Sequence, residues 1–179
     1  DAYEAWWQVC SRQMDDDIPV SIGALEQGEA VLRSHDLRNE QDHALAWNQG
    51  QVRQGEVCHG YWEIMVERDG LYEFELRRWP KEAGHAVRAG IADRDIEYRR
   101  DGVAPGSEVM YAGGKALPFN AACLDLTGMP QLCVPVGPHD AGALFRVRLP
   151  RGPRHLRAQF SQCGGTYSSA YYVYVRRAE

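Results

Sequence analysis

The sequence predicts a mainly β protein, an antiparallel β-sandwich of jelly-roll-like type with one N-terminal helix. Three observations lead there. Runs that alternate apolar and polar residues recur along the chain. Clusters of Gly, Pro and Asp separate them at short intervals. Helical spacing of a long apolar stripe occurs only at the start.

That stripe is Tyr3, Trp6, Trp7, Cys10 and Met14, at spacings of three and four, which predicts an amphipathic helix over residues 2–14. Asp15-Asp16-Asp17 and Ile18-Pro19 end it. Residues 1–17 are therefore read as helix and linker, and 18–179 as one sandwich domain. A helix bearing two tryptophans needs a surface to dock on, either this sheet or a neighbouring domain.

Short strands are expected at Val20–Ile22 and Ala30–Arg33, followed by a polar loop from Ser34 to about His43. Trp47 through Gln54 reads as an irregular strand. The strongest β signal follows, with Trp62, Ile64 and Val66 alternating against Glu63, Met65 and Glu67. After Arg68-Asp69-Gly70 the pattern resumes with Tyr72, Phe74 and Leu76, and an Asp-Gly pair between two such runs predicts a β-hairpin. Trp79-Pro80 stops the second run.

Residues 81–115 are rich in Gly, Arg, Asp and Glu and read as long loops with one strand near Ile96-Glu97-Tyr98. Strands are expected again at Ala121–Leu126 and Leu132–Val134. Phe145, Val147 and Leu149 form one face of a further strand, and Leu156, Ala158 and Phe160 one face of the next. The chain closes on a strand through Ala170-Tyr171-Tyr172-Val173-Tyr174-Val175.

Composition narrows the function. A net charge of −5 argues against a nucleic-acid partner, which calls for a basic face. No apolar run is long enough to span a membrane as a helix, and no membrane partner is expected. The start at Asp1 suits a mature secreted chain or a piece of a longer one. Five cysteines without C-x-x-C spacing disfavour a zinc knuckle and leave room for one or two disulfides.

Several residue groups carry possible chemistry, each beside a plainer reading. Asp15-Asp16-Asp17 could offer oxygens to a hard cation, but such a run more often solvates a helix end, and no metal site is assigned. His35-Asp36 could contact substrate or anchor a loop; adjacent residues on an extended segment point to opposite faces. Trp47-Asn48-Gln49 offers an aromatic platform beside two amides, the equipment for stacking on and hydrogen bonding to a sugar, or else a core tryptophan with capping amides. Arg77, Arg78 and Lys81 flank Trp79 and could receive an anion, with Arg78 taken as the substrate-binding member; surface arginines are also common. Phosphate-cradling loops, nucleophile elbows and H-E-x-x-H helices are absent, and no catalytic residue is assigned.

A set of stretches taken in order resembles the C-terminal region of bacterial arylsulfatases, the formylglycine-dependent sulfatases. They are Glu4-Ala5-Trp6-Trp7, Leu32-Arg33-Ser34-His35-Asp36, Trp47-Asn48-Gln49 and Gly60-Tyr61-Trp62. To these add the run from Gly70 to Pro80, Gly113-Gly114-Lys115-Ala116-Leu117-Pro118, and Ala170 to Val175. The resemblance spans nearly the whole chain, and its motifs are specific in combination. It departs at Leu37, where relatives carry tryptophan, so no stacking role is carried to that position.

The family's nucleophile lies in C-x-P-S-R or S-x-P-S-R. Cys133-Val134-Pro135-Val136-Gly137 keeps only the Cys and Pro, and Cys10-Ser11-Arg12 lacks the proline. The resemblance therefore implies a non-catalytic accessory domain that braces a sulfatase catalytic domain through the N-terminal helix or a sheet face. It implies no cofactor in this chain, with calcium expected in the parent's catalytic domain, and a periplasmic or secreted location. His35, Asp36, Trp47, Asn48, Gln49 and Arg78 are the expected substrate-rim residues, facing a sulfated glycan or aryl sulfate. The alternative is an autonomous carbohydrate-binding β-sandwich module.

Overall fold

Alternation along each strand decides which side chains meet between the layers. The computed structural model describes residues 1–14, 17–40, 45–94 and 112–179. In chain order these form α1 (Ala2–Cys10), β1 (Val20–Ile22), β2 (Ala30–Arg33), β3 (Arg38–Asn39) and α2 (Gln49–Gln54). Next come β4 (Gly60–Val66), β5 (Gly70–Arg77), β6 (Ile91–Arg94), β7 (Ala112–Gly114) and β8 (Phe119–Leu126). The last are β9 (Leu132–Pro135), β10 (Ala143–Leu149), β11 (Gly152–Gln162), β12 (Tyr167–Ser169) and β13 (Tyr172–Arg177). Asp15 and Asp16 of the acidic run, and the strand expected near Ile96, lie outside the described residues.

One sheet has seven strands, with the path β1-β4-β11-β8-β9 and with β12 and β3 pairing β11 and β4; the other is β10-β5-β13-β2. A small ribbon joins β6 and β7. The ladders are antiparallel except β1 beside β4. The fold is the mainly β sandwich read from the sequence. Trp62, Ile64, Leu124, Leu156 and Phe160 from the large sheet face Leu32, Phe74, Leu76, Phe145 and Val173 from the small one, all essentially buried. At about 25 cal/mol per Å² of apolar surface, this shared layer is the main source of stability.

The expected hairpin between residues 62 and 76 does not form. β4 pairs with β1, β3 and β11, whereas β5 pairs with β10 and β13, so the chain crosses from one sheet to the other at residues 67–69. Period-2 alternation suits two strands of one sheet as well as two strands that face each other across a sandwich. Gly70 is not in the left-handed region that an Asn-Gly-type hairpin turn demands. Its reason is space: a Cβ there would lie 2.3 Å from the Glu179 carbonyl oxygen and 2.6 Å from Arg177 Nε. A second crossing, from β10 to β11, lies beside the first, and the Arg151 N–H donates to Asp69 Oδ1 at 2.5 Å.

Trp47–Gln54 is also corrected. The irregular strand is the short helix α2, because Asn48 and Gln51 form a capping box and Gly55, at φ 73°, supplies the left-handed C-terminal stop. The N-terminal helix is shorter than expected, ending at Cys10 before a 3-10 turn over Ser11–Gln13, and none of its residues is buried. Tyr3 and Trp7 each meet the Trp6 ring at a tilt, and all three are exposed. Among the described residues no helix is long and apolar enough to cross a membrane.

Cys123 and Cys133 are cross-strand partners on β8 and β9 and are joined by a disulfide. The Cys133 sulfur, in the stretch that partly matches the formylglycine motif, is thus bonded within the fold. Cys10 and Cys163 are exposed free thiols, and Cys58 is a buried one.

Candidate functional site

Residues far apart in sequence meet at one end of the small sheet. β2 turns its Ala30 and Leu32 inward, so Val31 and Arg33 take the outer face. β13 buries Val173 and Val175, and Tyr172 stands directly opposite Arg33. The 3-10 turn Ser34–Asp36 then carries His35 out, and the start of α2 lies across the gap. The resulting cleft holds about 280 Å³ and brings Arg33, His35, Trp47, Asn48, Gln49 and Tyr172 together.

The chemistry of each side chain follows from what holds it. The Trp47 indole is 68% exposed, a flat apolar surface at the rim. Its backbone N–H and that of Asn48 both donate to Gln51 Oε1, at 2.9 and 3.3 Å. Asn48 Oδ1 accepts the Gln51 N–H at 3.0 Å, which leaves its Nδ2 without a partner among the described residues. Gln49 Nε2 donates to the Tyr172 hydroxyl, tying α2 to β13. Burial pushes that hydroxyl above its ordinary pKa, with the Gln49 bond and the Arg33 charge pulling the other way.

The cleft floor is rigid for identifiable reasons. The Ser34 hydroxyl donates to the Ala46 carbonyl, and the Ala46 N–H donates to Cys58 Sγ at 3.1 Å. Burial raises the Cys58 thiol to about 11, so it is no nucleophile at neutral pH. The Tyr171 hydroxyl donates to the Glu56 carbonyl at 2.6 Å. Below them Trp62 donates its indole N–H to the Arg33 carbonyl at 2.8 Å. The Ser34 and Tyr171 hydroxyls donate to backbone carbonyls and that of Tyr172 accepts from Gln49, while the exposed equipment is an indole, amides, an imidazole and a guanidinium. That set binds and orients; it contains no paired base and nucleophile.

Of the expected rim residues, His35, Trp47, Asn48 and Gln49 share this cleft. Asp36 lies in the adjoining depression of about 300 Å³ with Val20, Arg38 and Glu63, and His35 borders both. His35 Nδ1 and Asp36 Oδ1 are 3.9 Å apart, too far for a hydrogen bond.

Arg78 is elsewhere and requires correction as a surface group. It is wholly buried, donating to the Ala89 carbonyl at 3.1 Å and to the Val52 and Arg53 carbonyls at 3.4 Å, with its guanidinium 4.3 Å from the Trp79 ring centre. Burial lowers its pKa to about 10. The Val52 and Arg53 carbonyls lie at the end of α2, where a cation complements the backbone acceptors. Arg78 thus fixes the helix that carries the cleft wall, and no ligand reaches it. The parity of β5 carried this signal, since Tyr72, Phe74, Leu76 and Arg78 all fall on the inward face.

Lys81 lines a depression of about 400 Å³ on the outer face of the small sheet, and Arg77 pairs with the Glu75 that lines it, so both charges are already matched. Arg77 Nη1 meets Glu75 at 2.7 Å, and Lys81 Nζ meets Glu29 at 2.6 Å and Glu75 at 3.3 Å. Glu73, in the same depression, is held between Arg146 and Arg176. Among the described residues no group of three or more His, Cys, Asp or Glu could hold a metal ion.

No protein-family model and no curated protein matches the chain. Among solved structures, a ruminal GH26 endo-beta-1,4-mannanase is similar at 12% identity and TM-score 0.39, over 86% of this chain and 26% of that one. An exo-beta-1,3-galactanase from Phanerochaete chrysosporium, solved with beta-1,3-galactotriose, is similar at 12% identity and TM-score 0.42, over 83% of this chain and 29% of that one. The chain thus spans under a third of the length of each. Likenesses of this size carry no argument about activity.

Proposed function

We propose that this chain is a non-catalytic accessory β-sandwich of a sulfatase, a sulfuric ester hydrolase, and that its Trp47 cleft forms part of the rim against which a glycan substrate lies. One observation carries the reading. Three of the stretches that resemble sulfatase C-terminal regions, Leu32–Asp36, Trp47–Gln49 and Ala170–Val175, contribute side chains to the same cleft. Two further features support it. The tryptophan-bearing helix α1 offers an apolar face of the kind a catalytic domain would cover. The Cys123–Cys133 disulfide suits an oxidising compartment, where the sulfatase reading puts the chain.

The test has two parts. The isolated chain should give no calcium-dependent turnover of an aryl sulfate. In the polypeptide that carries this domain beside its catalytic domain, Trp47→Ala should lower kcat/KM for a sulfated oligosaccharide by about tenfold or more. A small aryl sulfate, too short to reach the rim, should be hydrolysed as before. Turnover by the isolated chain, or equal loss on both substrates, overturns the proposal.

A second reading is favoured by the exposed indole beside the Asn48 Nδ2, which has no partner among the described residues: an autonomous carbohydrate-binding module. Under it, the isolated chain binds neutral or charged oligosaccharides on its own, and Trp47→Ala abolishes that binding.

A further inference from the structure

We infer that Arg33 selects for a negatively charged sugar, its guanidinium receiving the sulfate or carboxylate substituent of a pyranose stacked on Trp47. The inference rests on the Trp47 cleft being a sugar site and adds to it the residue that reads the ligand's charge.

Charge distribution is the first support. The whole chain carries −5, yet no Asp or Glu lines this cleft, whereas the permanently charged Arg33 does; Asp36 lies in the adjoining depression. Local charge thus runs opposite to the global charge. A cleft with low-dielectric walls and one sign of charge concentrates counter-charged ligands.

The second support is that Arg33 is uncommitted. Arg77, Arg146, Arg157 and Arg176 are each bound to a carboxylate: Glu75, Glu73, Glu40 and Glu73 respectively. Arg33 has no ion pair and donates no side-chain hydrogen bond among the described residues, although it is exposed at the cleft edge. A guanidinium presents its donors in a fork that fits two oxygens of a sulfate or carboxylate.

The third support is that the backbone beneath it is held still. Arg33 pairs with Tyr172 in the β2–β13 ladder, and its carbonyl accepts the Trp62 indole N–H from the opposite sheet. Tyr172 is in turn tied to Gln49, two residues from Trp47. The cation and the stacking surface therefore belong to one braced unit rather than to independent loops.

Calorimetry on the full chain tests this with three ligands: a galactan tetrasaccharide bearing ester sulfates, the same tetrasaccharide after desulfation, and a galacturonic-acid tetrasaccharide. At least one anionic ligand should bind about tenfold or more tighter than the neutral one, as charge-assisted hydrogen bonds allow. Which anionic ligand gains identifies sulfate or carboxylate as the substituent. Arg33→Gln should abolish the preference, and Arg33→Lys should keep part of it. If Arg33→Gln retains the preference, or the neutral ligand binds as tightly as the charged ones, the inference fails. A neutral ligand whose binding Trp47→Ala abolishes, without any charge preference, overturns the Arg33 role alone. Binding of none of the three overturns the cleft as a sugar site as well.

Discussion

The Trp62 indole N–H and the Arg33 carbonyl oxygen lie 2.8 Å apart, a hydrogen bond that runs from the middle of one sheet to the edge of the other. It joins one of the largest fully buried side chains of the core to the strand that carries the cleft's cation. Core packing and cleft geometry are therefore coupled through a single bond.

Trp62→Phe removes the donor, leaves the carbonyl unpaired and opens a void. The combined cost should be about 2–4 kcal/mol. Urea unfolding of the two proteins measures it, and a loss below about 1 kcal/mol would mean that the Arg33 carbonyl finds another donor.

Arg78→Met keeps much of the side chain's volume but deletes its bonds to Val52, Arg53 and Ala89. Stability should fall by about 2–4 kcal/mol, with the end of α2 loosened. Hydrogen exchange should accelerate at Gly55 and Glu56, whose amides close the helix on Val52 and Gln51. Unchanged exchange there would refute the role of Arg78 as the brace of α2.

The Glu73 carboxyl is held below the usual range by hydrogen bonds from Arg176 and Arg146. An unfolded glutamate titrates at about 4.3, so the stabilisation is fully present above that pH and is lost as pH falls through the lower folded value. Glu73→Gln should be the less stable protein at neutral pH and should converge on wild type in acid. Thermal melts across pH 3–7 test this; a gap that persists at the acid end would point to packing rather than charge.

Thiol accessibility gives a separate check. Iodoacetamide should modify Cys10 and Cys163 in the folded chain, with Cys58 reacting only on unfolding because it is buried and its thiol is raised to about 11. Cys123 and Cys133 should be protected until reduced. Their loop spans a sequence separation of 10, so reduction should cost about 2–3 kcal/mol. Rapid native labelling of Cys58 would contradict the described cleft floor.

Much of this fold was legible in the chain. Most strands in the sandwich form close to where alternation called for them, because side-chain direction along a strand is a local property. Pairing is not local. The runs through Trp62 and Phe74 read identically whether they sit side by side or face each other, and only the competing partners β10, β11 and β13 separate them. The start of α2 reads as strand from the β preference of Trp47, whereas the Asn48/Gln51 cap and the Gly55 stop decide for helix. Arg78 reads as a surface residue from its charged neighbours Arg77 and Lys81, yet it shares the parity of the buried Phe74 and Leu76 and points inward with them.

The sequence by itself determined the β-sandwich class and marked His35, Trp47, Asn48 and Gln49 as side chains worth watching. Tertiary structure alone decided that Arg33 and Tyr172 join them, since these come from strands whose residues lie over a hundred positions apart yet pair in one ladder. The physical reason is the range of the forces. Alternation and capping act over a few residues, whereas a cleft is closed by hydrogen bonds and burial between segments that only the completed core brings together.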